Sequence, residues 1–313
     1  MLPFVFWRTL ASIPVVALVA LLVFSMLYLT PGDPATMLAG EAASDADIER
    51  IREALGLNKG FIERFSIWAL ALIQGDFGSS IYTKIPVLQT ILSRLEPTLS
   101  LMALTCVIAV TVAIPLGVLA AWKRGSALDA AVIGGAVLGT SVPVFVMGYL
   151  LAYLFSVRLG WFPVQGYNPI ASGFSKWVMS ILLPSFVLSL GFIASIARIT
   201  RATMLEVLSQ DYVRTARAKG LSERAVLFVH SLRNAAVPIA TVVGQGVVML
   251  IGGAVVTETV FNIPGIGRLT ADAIFQRDYP IIQGIVLLFS FAYVFVNILI
   301  DVFYAAMDPQ MRR

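Results

Sequence analysis

Between Arg198 and Asn234 the chain concentrates positive charge. Seven basic residues (Arg198, Arg201, Arg214, Arg217, Lys219, Arg224 and Arg233) stand against three acids, Glu206, Asp211 and Glu223. The chemistry open to such a set is recognition, in which guanidinium forks and an ammonium meet carboxylates on another surface. Bond-making chemistry is not in view. The sequence contains no GxxxxGK[ST] loop to cradle phosphates and no GxSxG, HExxH or CxxC, and its single histidine, His230, cannot build a multi-histidine metal site. No catalytic residue, metal ligand or cofactor is therefore expected in this chain, and the energy for any work must come from another protein.

The elements that would present those cations can be read locally. Asp211 or Ser209 is placed to cap a short helix over residues 212–219, and Gly220 to close it. Ser222 is placed to cap a second helix that leads into an apolar run. The result would be a polar handle between two apolar segments, the shape a membrane protein needs if a soluble partner must push on it.

The composition makes lipid the solvent. Of 313 residues 58% are hydrophobic and 13% charged, and the mean hydropathy is +0.88. A soluble globule cannot hide that much apolar surface. Crossing a hydrocarbon core of about 30 Å takes about 20 apolar residues. Six runs qualify: 9–30, 98–121, 129–157, 177–198, 236–257 and 282–304. The expected fold is an all-α membrane protein of six transmembrane helices, with an N-terminal tail and a first span over 1–30 that is retained and not cleaved as a signal, an external helical segment over 31–96 and a core over 97–313. Within that core, 199–235 is a cytoplasmic loop, 258–281 an external loop and 305–313 a tail. With both termini inside, the cytoplasmic side carries twelve Lys and Arg against five acids, and the outside ten against twelve. The net charge of +4 is thus a topology signal and gives little support to nucleic-acid binding.

Several smaller features sharpen this outline. In the external segment Ser44 and Asp47 make a capping-box start, Ile48, Ile51 and Leu55 share a helical face, and Gly56 supplies a stop. Phe61, Phe65, Trp68 and Leu72 form an amphipathic face suited to the membrane interface, and a third helix from Pro86 to Leu95 should end before Pro97 opens the second span. Gly135 and Gly139 form a GxxxG pair, and Pro143 is a candidate helix kink. Two external loops, one with Trp161 and one with Glu258, Phe261, Pro264, Gly265 and Gly267, mix aromatics with Gly and Pro and are candidate docking or gate surfaces. Asn297 and Asp301 share a face of the last span, and the lone Cys106 excludes an internal disulfide.

Against this background the polar handle becomes specific. Ala197-Arg198-Ile199-Thr200-Arg201, then Asp211-Tyr212-Val213-Arg214-Thr215-Ala216-Arg217-Ala218-Lys219-Gly220-Leu221, then His230-Ser231-Leu232-Arg233-Asn234-Ala235 and Pro238 resemble the coupling loop of ABC importer permeases in the dipeptide, oligopeptide and nickel branch. So do Pro31-Gly32-Asp33-Pro34, Gln74-Gly75-Asp76-Phe77-Gly78, Glu258-Thr259-Val260-Phe261, Arg277-Asp278-Tyr279-Pro280 and Asp308-Pro309, which look like the first of two paired permeases. The general importer motif has Glu-Ala-Ala with Gly further on, where this chain has Arg214, Thr215, Ala216 and Gly220.

The resemblance implies a subunit of a bacterial inner-membrane importer whose partners are a second permease, two ATPase subunits that hold ATP and Mg, and an extracytoplasmic binding protein. On it, Asp211, Tyr212, Arg214, Thr215, Ala216, Arg217, Lys219 and Gly220 are the candidate coupling residues. Arg214, Arg217 and Lys219 would meet acids of the ATPase. The implied cargo is a dipeptide or oligopeptide, with nickel chelates, glutathione or other peptide-like solutes as alternatives, and an ion-coupled secondary transporter as the rival class.

Overall fold

The computed structural model describes residues 2–29, 35–36, 44–54 and 57–307. The Pro31-Gly32-Asp33-Pro34 motif, Leu55, Gly56 and Asp308-Pro309 lie outside the described residues. Among those described there is no strand, only an isolated bridge between Ser79 and Pro86. Lipid forces this outcome, because each N–H and C=O must find its partner within its own segment.

The helices are α1 (Leu2–Leu29), α2 (Asp45–Ala54), α3 (Phe61–Ile73), α4 (Val87–Trp122), α5 (Ala127–Ser141), α6 (Val144–Leu151), α7 (Phe174–Leu208), α8 (Asp211–Ala218), α9 (Leu232–Val260), α10 (Ile266–Gln276) and α11 (Tyr279–Met307). A π-helical stretch, Ala152–Arg158, extends α6, and another, Ala225–Ser231, leads into α9. By length and composition five helices can cross a membrane, with α5 and the extended α6 as a sixth, bent by 102°.

The chain folds as two units, one of Arg94–Ala271 with Phe295–Arg313 and the other of Phe6–Ser93 with Asp272–Val294. In the first, α7 is the central helix. Its residues Leu188, Phe192 and Ile196 meet Leu101 of α4 and Leu250 of α9 in one buried cluster. Two long-range hydrogen bonds tie α4 to α7: the Thr105 hydroxyl donates to the Ser185 carbonyl and the Ser185 hydroxyl to the Leu101 carbonyl, each at 3.4 Å. Lipid tails are as apolar as leucine, so helix association in a membrane rests on close approach. Gly117 supplies one such approach, since a Cβ there would stand 2.6 Å from Thr200 Cβ. Of the GxxxG pair, Gly139 abuts the α7 backbone at Leu190, whereas Gly135 faces open space.

In the second unit Phe24 of α1 is buried among Phe61, Phe65 and Trp68 of α3, with ring centroids 5.2–5.5 Å apart. The amphipathic face of α3 is thus packed on a neighbouring helix. Ser44 and Asp47 hydrogen-bond reciprocally at the start of α2. The Asp47 carboxyl is held below its usual range chiefly by the Ser44 hydroxyl and amide, with Arg50 adding to the effect. Asp278, buried before α11, accepts from the Ser80 hydroxyl and from the Ile81 amide at 3.2 Å.

Some boundaries differ from the sequence reading. No third external helix ends before Pro97, because α4 runs unbroken from Val87 through Pro97 and Pro115. Proline removes one backbone donor but its φ is already helical, so the ladder resumes beyond it. α7 continues to Leu208, and the helix leading into α9 starts near Glu223, so both project well past the apolar runs that end at 198 and begin at 236. Polar residues there keep good helix propensity, and nothing requires a helix to stop where its apolar run does.

Candidate functional site

The handle is a compact knuckle. α8 places Val213 and Ala216 one turn apart, and both are buried with Val226 and Leu208. Gly220 stands at φ +75°, the left-handed region. Leu221 N–H donates to the Ala216 carbonyl at 3.3 Å and Gly220 N–H to the Arg217 carbonyl at 2.9 Å, the paired bonds of a Schellman stop. Ser222 then caps the next helix through Ala225 N–H, at 3.4 Å. At the start of α8 the expected side-chain cap is absent. Gln210 holds the cap position without a side-chain bond, the Ser209 hydroxyl donates back to Glu206, and Asp211 sits in the first turn, where its charge complements the helix dipole.

Two side-chain contacts fix the angle of the knuckle. Arg217 spans the Gly220 turn and grips Glu223 with Nε and Nη2, at 2.9 and 3.3 Å. Asn234 Nδ2 donates to the Tyr212 hydroxyl at 2.8 Å. Arg217 is therefore engaged within the chain, unlike the partner-facing role read from the sequence. Arg214 lies 3.5 Å from Asp211 in an open pair, and Lys219 has no carboxylate partner among the described residues. Tyr212, Arg214, Thr215 and Lys219 form the exposed face.

The loops that carry Trp161 and Glu258 come together in one network. Glu258, fully buried, accepts from the Thr98 hydroxyl at 2.6 Å and from the Arg268 amide at 2.8 Å. Thr98 in turn accepts from Ile266 N–H at 2.8 Å, so one carboxylate and one hydroxyl satisfy the first amides of α10. A Cβ on Gly265 would stand 2.3 Å from the Glu258 carboxyl, and one on Gly267 2.6 Å from Val255 Cα. Gly166 N–H donates to the Phe261 carbonyl at 2.9 Å, and Phe162 and Tyr167 pack against the buried cluster that includes Phe261. Glu96 of α4 accepts from the Tyr167 hydroxyl and from Ile170 N–H at 3.0 and 2.9 Å. Burial, first of all, pushes the Tyr167 phenol above its usual value.

Glu258, Phe261, Gly265 and Gly267 are thus buried within the chain. Pro264 is half-buried. Trp161 is 58% exposed, leaning on Phe155 with ring centroids 5.5 Å apart.

Pro143 stands where the third apolar run breaks. Val142 and Pro143 are extended, with ψ of 125° and 139°, and Pro143 precedes the first residue of α6. The break is far sharper than a proline kink. Sequence reasoning missed a partly buried pair at the other end of α5: Arg201 of α7 grips Asp129 of α5 with Nε and Nη2, the latter at 2.8 Å, and Gly125 N–H donates to the same carboxylate at 2.9 Å. The signal was Ser126 three residues before Asp129, a capping pair that the bond from Asp129 N–H to Ser126 Oγ completes. No group of His, Cys, Asp and Glu suited to a metal occurs among the described residues.

Comparison with known proteins bears on what such a bundle does. The family described as "Binding-protein-dependent transport system inner membrane component" matches residues 113–313, and its N-terminal counterpart matches residues 1–102. A probable peptide ABC transporter permease protein of Sinorhizobium fredii is 50% identical over 305 residues, 97% of either chain. The glutathione transport system permease protein of Escherichia coli K12 is 42% identical over 312 residues, 100% of this chain and 99% of its own. Among solved structures, the MetNI methionine ABC transporter aligns with a TM-score of 0.58 at 15% identity, over 71% of this chain and 97% of that one, a likeness of fold. With both of its parts matched and full-length relatives at this identity, the chain belongs to the binding-protein-dependent transport system inner membrane components, the permeases of ABC transporters.

Proposed function

We propose that this permease forms the translocation path of a bacterial inner-membrane importer for dipeptides and oligopeptides, together with a second, homologous permease. Two ATPase subunits on the cytoplasmic side hold ATP and Mg, an extracytoplasmic binding protein delivers the cargo, and both termini are cytoplasmic. The chain hydrolyses nothing itself. Cargo names among the relatives, peptide and glutathione, favour short peptides, with glutathione the nearest alternative and nickel chelates a further one.

One observation carries the reading. α8 is short, stopped by Gly220, stapled by Arg217 to Glu223, and set between the projecting ends of α7 and α9. A rigid knuckle between two long helices passes a push to both of them. Movement of the ATPases would therefore shift α7, the helix at the centre of its unit, and with it the path. The binding protein would dock on the loop face that Trp161 exposes, while the Glu258 network keeps α10 in register beneath it. Alternating access follows if ATP binding and hydrolysis bias two arrangements of the bundle.

Reconstituting the assembled transporter in proteoliposomes and following labelled dipeptide with ATP inside tests this. Uptake should require ATP, the binding protein and both permeases. Equal uptake by this chain alone on an ion gradient would place it with secondary transporters.

A further inference from the structure

We propose that the groove between α5 and α7, at the charged end of α7, binds a membrane lipid through its anionic headgroup, with Arg198 as the headgroup ligand. Arg201 and Arg198 are three residues apart on α7 and so share a face. Arg201 is spent on Asp129. Arg198 is exposed and has no carboxylate partner among the described residues. It stands where the apolar run of α7 ends, the depth at which a guanidinium can meet an anionic headgroup.

The groove that leads to Arg198 is apolar. Val132, Ala136 and Val137 of α5 and Ala194 of α7 line it, with Thr140 the one hydroxyl among them. That hydroxyl already donates to carbonyls of its own helix, at 3.0 and 3.1 Å. A peptide could set its carboxylate on Arg198, but its amides and amino terminus would find no partner along the apolar part of this surface. An acyl chain needs none.

The turn that joins α4 to α5 adds charge at the same end. Gly125 N–H reaches the Asp129 carboxylate that Arg201 holds, so this turn lies beside the arginine. Lys123 sits over the Trp122 ring at 5.5 Å, and Trp122, 43% exposed, is the residue type favoured at a headgroup boundary. Arg124 and Arg201 both act on the Asp129 carboxylate, with Arg198 one turn from Arg201, and basic residues between membrane helices beside an apolar groove are the chemistry that retains anionic lipid.

Native mass spectrometry of the assembled transporter, exchanged into phosphatidylglycerol or into phosphatidylcholine with the same acyl chains, reads this directly. The complex is expected to keep phosphatidylglycerol in preference to phosphatidylcholine. Arg198→Ala should lower that retention about fivefold, and Arg198→Lys should keep most of it. Val137→Trp, which fills the groove and leaves the charge, should lower it as well. Excess inorganic phosphate should not displace the lipid. Undiminished retention in Arg198→Ala, equal retention of the two lipids, displacement by phosphate, or cross-linking of Val137→Cys to the second permease would each overturn the assignment.

Discussion

Gly265 and Glu258 make a sharp demand on residue identity. The glycine has no Cβ, and the carboxylate fills the space where one would stand. Gly265→Ala should destabilise the assembled transporter by about 1–3 kcal/mol, since the added methyl must push on a carboxyl held by the Thr98 hydroxyl and the Arg268 amide. Glu258→Gln should lose about as much, because its amide NH2 turns a donor toward a donor. Thermal unfolding of single and double variants checks both, and the double loss should fall short of the sum because the two residues touch. Strict additivity would mean that they do not meet. From the sequence, Glu258, Phe261, Gly265 and Gly267 were legible as a patterned loop, but their burial was not. That depended on Thr98, some 160 positions away, which no local signal connects to them.

At the scale of elements, the handle was legible because its signals are local. Gly220, Ser222 and the spacing of Val213 and Ala216 are rules about neighbours in sequence, and the structure places a stop, a cap and a buried face at those positions. The cap of α8 was misread because Ser209 and Asp211 both have the right chemistry, and the register of the chain, which gives Gln210 that place, is set by packing. The staple between Arg217 and Glu223 was legible only as two charges. Glu223→Lys should reduce uptake per ATP hydrolysed, and pairing it with Arg217→Glu should restore part of it. As an exposed pair it should add no more than about 1 kcal/mol to stability, so the effect should appear in coupling and leave unfolding little changed. A double variant as poorly coupled as the single would deny the staple its role. The Asp129–Arg201 clasp of α5 to α7 behaves differently because it joins two long helices and is partly shielded from water. Arg201→Met leaves a carboxylate without its cation and should lower the unfolding temperature, and adding Asp129→Asn should recover part of that loss.

For the molecule as a whole, composition alone settled that lipid is the solvent and helix the only backbone solution. The apolar runs then located the spans, because bilayer thickness fixes how long each must be. The same runs could not show the third breaking by 102° at Val142 and Pro143, since hydropathy is blind to direction. Nor could they show α7 and the helix leading into α9 projecting past the apolar zone toward the knuckle. Those projections give the chain a mechanical reading: a force on α8 is delivered to α7, the helix on which its unit is packed.

The most direct test of that reading is peptide uptake and ATP hydrolysis measured together in proteoliposomes that hold the assembled transporter with Gly220→Trp and, as control, Gly220→Asn. The left-handed conformation at this position suits asparagine and opposes tryptophan, and no neighbouring atom lies within 4 Å of a Cβ added there. The account expects Gly220→Trp to insert and assemble but to hydrolyse ATP without importing peptide, and Gly220→Asn to remain coupled. Uptake and stimulated hydrolysis both persisting in Gly220→Trp would contradict it.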